Sequence, residues 1–283
     1  MALPRTVEEH EIPPELRRVY ADIRKSFDVP LVPTLFKVSA SVPEYLRLVW
    51  SDLGEVARSR EFQSATHALG EYAYSQVLSS DWRMNDQHKA MAGQGFSSTD
   101  MEMLGAVVST FARLTPQMAL FSRLMQLGYS GGQRGKVSDG KQASALSRMI
   151  SLHVPGERDT GLRAWLIYSD IKKTTGSKHV FSLFRLLSPY PGYLASVWID
   201  AKRLFQERSF LRARDEVIAR TRALLTGLPV GDHRHMARNI TPNQWSDIEE
   251  SVDSFVRLMP QFVLFNAIWQ RSFARTGNLQ KVA

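Results

Sequence analysis

"FARLTPQMALF", residues 111–121, and "FVRLMPQFVLF", residues 255–265, are one phrase written twice. Each is an apolar run at helical spacing with a proline at its centre and a glutamine after it. Proline removes one helical hydrogen bond and crowds the preceding turn, so keeping it twice in one setting marks a repeated scaffold. The copies differ just before the proline, where Thr115 stands in one and Met259 in the other.

Working outward, Pro43, Tyr45, Leu46, Trp50 and Asp52 return as Pro191, Tyr193, Leu194, Trp198 and Asp200, 148 residues later. Tyr20, Asp22, Ile23, Lys25, Leu35 and Phe36 return at the same offset as Tyr168, Asp170, Ile171, Lys173, Leu183 and Phe184. The proline phrases are 144 apart, so the second copy is four residues shorter between the two blocks. A unit of roughly 130 residues is too long for a solenoid repeat and about the size of a domain.

Apolar positions recur at helical spacing nearly throughout, and alternation of strand type is hard to find. The expected fold is all-α, with two helical repeats about a pseudo-twofold axis forming one compact unit. The periodicity predicts helices over 15–27, 42–58, 61–78, 86–92 and 99–127, the last interrupted at Pro116. It predicts others over 142–152, 160–173, 181–187, 190–207, 211–226 and 241–274. "YSGGQRGKVSDGK", 129–141, has glycine, serine and charge without period and is read as the linker. The repeats then cover 11–128 and 142–274, with flexible termini at 1–10 and 275–283. If the copies pack symmetrically, segments 30–42 and 178–190 face each other beside the two proline-bearing helices, where a ligand pocket is favoured.

The chain of 283 residues is 43% hydrophobic, enough for a substantial core, and has no cysteine, which excludes disulfide and thiol chemistry. No stretch reads as a signal peptide or membrane span, so a cytoplasmic location without a membrane partner is expected. The formal charge of +8 is spread along amphipathic segments such as "LRARDEVIARTRALL" among acidic residues, which speaks against nucleic acid as a partner.

Four features carry candidate chemistry. Pro116 and Pro260 free carbonyls near residues 112 and 256, and Gln117 and Gln261 either satisfy those carbonyls or face solvent. Thr115 breaks the symmetry at one of these points. "TTGSKHVFSLF", 174–184, holds Ser177, His179 and Ser182 before a short helix, where His179 can serve as general base or bind an anion. In the alternative reading Ser177 is a helix N-cap and His179 an exposed first-turn residue. Asp22 and Asp170 read as surface ion-pair positions, and Trp50, Trp198, Tyr45 and Tyr193 as core. "HRH", 233–235, is a poor metal site, with Asp232 as its single nearby carboxylate. No phosphate-binding glycine loop or G-x-S-x-G nucleophile motif occurs.

"VPLVPTLFKVSASVPEYLRLVW", "GFSSTDMEML", "LLTGLP" and "ITPN" together resemble the group I 2-haloacid dehalogenases, the DehI family. The resemblance runs with gaps over about residues 11–274. It implies a homodimer acting on a small-molecule substrate without cofactor or metal, with its site between the repeats. In that family an aspartate activates water that attacks C2 of a 2-haloalkanoic acid, and an asparagine before the proline helps hold the reacting groups. The asparagine position falls on Thr115. The aspartate falls on Leu183 or Val180 according to the alignment, and its serine neighbour on Ser182 or His179. An aromatic pair of the pocket becomes Leu31 and Thr34, and a pocket tyrosine becomes Phe255. Neither leucine nor valine takes a proton, and a general base contributes about 10²–10⁴-fold.

Three readings follow. The first is an enzyme of altered chemistry on a small carboxylate or hydrophobic substrate, with His179, Thr115 and Ser182 as its working groups and Leu31, Thr34, Gln117, Leu183 and Phe255 around them. The second is a 2-haloacid dehalogenase in which His179 replaces the aspartate. The third is a non-catalytic binding protein on the same scaffold.

Overall fold

The computed structural model describes residues 6–92, 94–127, 152–228 and 240–274. A 3-10 turn, Pro14–Leu16, leads into α1 (Arg17–Phe27), α2 (Thr34–Ser39), α3 (Pro43–Arg58), α4 (Arg60–Leu78), α5 (Gln87–Ala92) and α6 (Ser98–Gln126). The later half comprises α7 (Leu162–Thr175), α8 (Ser182–Leu186), α9 (Pro191–Leu204), α10 (Arg208–Leu225) and α11 (Pro242–Ala274). There is no strand among the described residues, and no helix there is long and apolar enough to cross a membrane. The linker 129–141, most of the helix expected at 142–152, the "HRH" triplet and the terminus 275–283 lie outside the described residues.

Local chemistry sets most boundaries. Pro43 and Pro191 open α3 and α9, where a missing N–H costs nothing. Ser59 caps α4 by accepting from Phe62 N at 3.1 Å, and a Ser97/Asp100 capping box opens α6. α2 is a finding: six residues are too few to show a helical period, and the sequence leaves 34–39 as an irregular segment.

Neither proline interrupts its helix, contrary to the break expected at Pro116: α6 and α11 run through Pro116 and Pro260. Side chains flanking the proline add hydrogen bonds to the carbonyls on either side of the one it frees. Thr115 Oγ1 donates to Phe111 O at 2.9 Å and Gln117 Nε2 to Arg113 O at 3.2 Å, so side chains serve carbonyls on both sides of the gap. Gly70 of α4 packs against the ring, where a Cβ would make ordinary contact at 3.7 Å from Pro116 Cγ.

The two halves carry matching contacts. Trp50 Nε1 donates to Asp22 at 2.8 Å and Trp198 Nε1 to Asp170 at 2.7 Å. Phe36 meets Trp50 edge-on with centroids 5.7 Å apart, and Phe184 meets Trp198 in the same way at 5.5 Å. Asp22 and Asp170 also pair with Arg58 and Lys202, each at 2.9 Å. Buried side chains of both halves form one continuous core, with α6 along α11 as its most extensive helix pairing.

Residues 6–9, expected to be part of a flexible terminus, are bound to the body. Val7 N donates to Lys37 O at 2.9 Å, Tyr20 Oη to Val7 O at 2.9 Å, and Glu9 pairs with Arg24 at 2.8 Å. Glu8 is buried.

Candidate functional site

α2 and α8 meet end to end, and their first residues touch. Thr34 Oγ1 lies 2.8 Å from Ser182 Oγ and accepts from Ser182 N at 3.0 Å, a pair 148 residues apart. Both helices follow an extended residue, Pro33 and Phe181, which turns their first side chains inward.

Beside this hydroxyl pair lies a chamber of about 30 Å³, room for about one water molecule. Its wall is built largely from positions at the two repeat offsets: Pro33 and Phe181, Thr34 and Ser182, Phe111 and Phe255, Thr115 and Met259, Met118 and Phe262. Leu114, Leu183 and Asn266 complete it without their counterparts. Thr115, Thr34, Ser182, Leu183 and Phe255 are thus brought together. Of the two positions to which the aspartate was carried, Leu183 lines the chamber and Val180 does not; Val180 N donates to Glu157 at 2.7 Å.

Three candidate residues stand elsewhere. Leu31 is core and not part of the chamber wall. Gln117 donates to Arg113 O and, at 3.3 Å, to Phe27 O, and faces a separate groove of about 610 Å³ between α4 and α6. His179 borders two other cavities, one of about 590 Å³ shared with Glu8, Tyr168 and Lys172, the other of about 370 Å³ shared with Glu250 and Arg257. Burial pulls the His179 imidazole below its ordinary pKa, against the opposing pull of Glu157. Its Nε2 is buried without a partner. Ser177 does not cap α8, whose N-cap is Phe181. Its hydroxyl instead donates to His179 O at 2.9 Å and accepts from His179 N at 3.2 Å, closing a tight turn.

No Asp, Glu, His, Lys or Arg lines the chamber. Two cations sit one turn further into the same two short helices. Lys37 and Arg185, again 148 apart, are almost wholly buried at 1% and 0% exposure, and they converge on one carboxylate. Lys37 Nζ donates to Glu8 Oε2 at 2.9 Å, and Arg185 Nη2 lies 2.8 Å from Glu8 Oε1. Arg185 also donates through Nε and Nη2 to Pro155 O, at 2.7 and 2.5 Å. Burial alone would raise the Glu8 carboxyl, but Arg185 and Lys37 outweigh it and hold it below its ordinary value. Burial lowers the Lys37 ammonium, with Glu8 opposing. Among the described residues no cluster of His, Asp and Glu is placed to hold a metal ion.

Two groups escaped sequence reasoning. Asn266 is the single polar residue in "FVLFNAIW", 262–269, and an uncharged polar residue in such a run was a usable signal. Lys37 and Arg185 stand in "TLFKVS" and "SLFRLL", a cation inside an apolar run at the repeat offset.

The family model of halocarboxylic acid dehydrogenase DehI matches residues 30–184, just over half of the chain. The chain belongs to the DehI family. Among its relatives are two (R)-2-haloacid dehalogenases. That of Pseudomonas putida is 22% identical over 234 residues, covering 81% of this chain and 77% of the relative. That of Rhizobium sp. (strain NHG3) is 23% identical over 229 residues, covering 80% and 88%. A solved D-2-haloacid dehalogenase in complex with L-LA superposes with a TM-score of 0.83 at 21% identity, covering 96% of this chain and 97% of that one. A mutant of D-2-haloacid dehalogenase with D-2-CPA gives 0.81 at 21% identity, covering 96% and 98%. The DehI fold is therefore shared along nearly the whole chain, and its all-helical architecture is the one described above.

Proposed function

We propose that this DehI-family protein is a non-catalytic binder that holds a small uncharged molecule in the chamber between its halves. The observation that carries this reading is the chamber wall, which contains no titratable side chain. A water there has no general base to take its proton, and that assistance is worth about 10²–10⁴-fold. A haloacid carboxylate would enter without a cationic partner, because no Lys or Arg lines the chamber and Lys37 and Arg185 pair with Glu8. Met118 and Met259 supply the adaptable part of the wall, since unbranched thioether chains repack readily around a guest larger than water.

A second reading, an enzyme using His179, draws on the partnerless Nε2 of a depressed imidazole between two open cavities. That chemistry would take place outside the chamber. The deciding experiment measures halide release from racemic 2-chloropropionate by the wild type and by His179→Ala. We expect none above the buffer rate from either protein. Release that disappears in His179→Ala would establish the second reading, and release in both proteins would overturn the first by another route.

A further inference from the structure

The outer face of α7 differs in kind from that of the helix it repeats. Leu162, Trp165 and Leu166 stand at i, i+3 and i+4 on its first two turns, which makes them neighbours on one face. They are 73%, 53% and 55% exposed. The opposite face packs inward, with Ala164, Tyr168, Ile171 and Thr175 buried. In the first half, 148 residues earlier, Tyr20 and Ile23 are buried in the places of Tyr168 and Ile171, so the two helices share one register. The outer positions there are Pro14, Arg17 and Arg18, and these too are exposed. The scaffold is thus built equally well with charge on this face. Exposed leucines scattered singly are ordinary on protein surfaces. Three adjoining large apolar side chains, at positions where the internal copy carries two guanidinium groups, mark a contact surface.

We propose that this face of α7 is the surface through which two copies of the chain pair about a twofold axis. The three side chains expose roughly 400 Å², half of the about 800 Å² that each partner contributes to a standard stable interface; the turns around them supply the rest. An apolar face is complementary to itself, and a contact between identical faces closes at two copies. The face also occurs in one half alone. Its counterpart at Arg17 and Arg18 offers charge to an apolar partner, so the first half cannot extend the pair into a chain of copies. The charges at the edge agree with self-pairing. In an antiparallel crossing centred between Trp165 and Leu166, Lys173 lies about 11 Å further along the helix. That brings it toward the start of the other copy's α7, which Asp159 precedes. Lys173 and Asp159 are both exposed, so the twofold axis sets a cation against a carboxylate at each end of the contact.

Sedimentation velocity on the full chain tests this. The wild type should run at twice the chain mass of 32.1 kDa at about 100 μM protein. Trp165→Arg with Leu166→Arg installs the residue type of Arg17 and Arg18, which the first half already carries on this face. That variant should keep the helical circular dichroism of the wild type, run as a monomer, and dissociate roughly a hundredfold or more readily. Leu78→Arg, at the end of α4 and 55% exposed in the wild type, should leave the mass unchanged. A monomeric wild type overturns the proposal, whatever else binds the face, and so does a dimer that survives the paired arginines or is lost in Leu78→Arg. Should the arginine variant not fold, the absence of cysteine from the chain gives a second route. Leu166→Cys should oxidise to a covalent dimer and Leu78→Cys should not; no covalent dimer from Leu166→Cys, or equal yields from the two, overturns the assignment to α7.

Discussion

Glu8→Gln is the substitution whose effect follows most directly from the geometry. Glu8 is the carboxylate on which Lys37 and Arg185 converge from the two short helices, and both cations are excluded from solvent. Breaking a buried ion pair by removing one partner costs about 3–5 kcal/mol, because the remaining charge is left uncompensated; here two cations are left facing each other. Glu9 supplies an internal comparison. Its pair with Arg24 is about one-third exposed on either side, at 33% and 38%, and it also accepts from Val32 N, so Glu9→Gln should cost about 1 kcal/mol. Urea denaturation of the two variants beside the wild type measures both. The acid limb adds a second readout. The folded carboxyl of Glu8 is held below its unfolded value of 4.5, so its contribution is full above that value and is lost as pH falls through the lower, folded one. Glu8→Gln should flatten that part of the stability profile. Replacing all three groups, as Glu8→Leu with Lys37→Met and Arg185→Met, should recover most of the loss, since an apolar cluster needs no counterion. A Glu8→Gln protein within about 1 kcal/mol of the wild type, or no weaker than Glu9→Gln, would refute the reasoning.

Two further outcomes bear on the same junction. Thr34→Val should cost about 1–3 kcal/mol by leaving Ser182 N without its acceptor and Ser182 Oγ without its hydroxyl partner, and in a double-mutant cycle Thr34→Val with Ser182→Ala should cost less than the sum of the two; simple additivity would show that the pair carries no coupling. His179 should titrate by NMR below the ordinary imidazole value of 6.5. Because its folded value is depressed, protonation opposes folding, and stability declines as pH falls through that value; a titration at or above 6.5 would contradict the burial described here.

Relatedness to haloacid dehalogenases does not by itself carry their reaction over to this chain. What the DehI fold contributes is a place where two helix starts and two long helices enclose a chamber, and the chemistry depends on which side chains face it. Leu183 beside Ser182 is the plainest instance. Leucine there fills space and cannot move a proton.

Much of this was legible in the residues alone. The all-helical fold follows from apolar spacing, which depends on local geometry, and the matching halves from "FARLTPQMALF" and "FVRLMPQFVLF", because a repeated phrase survives in sequence whatever the packing. Thr115, Thr34, Ser182, Leu183 and Phe255 were reached from the sequence and do line one chamber. Only the tertiary structure decided the rest. Whether His179 faces the chamber depends on a turn closed by Ser177, a difference of side-chain direction that no periodicity records. Asn266, its helix read correctly, is placed in the chamber wall only by the packing of α11. The ion triad joins residues 8, 37 and 185, far apart along the chain, and only folding brings them close enough for their charges to matter.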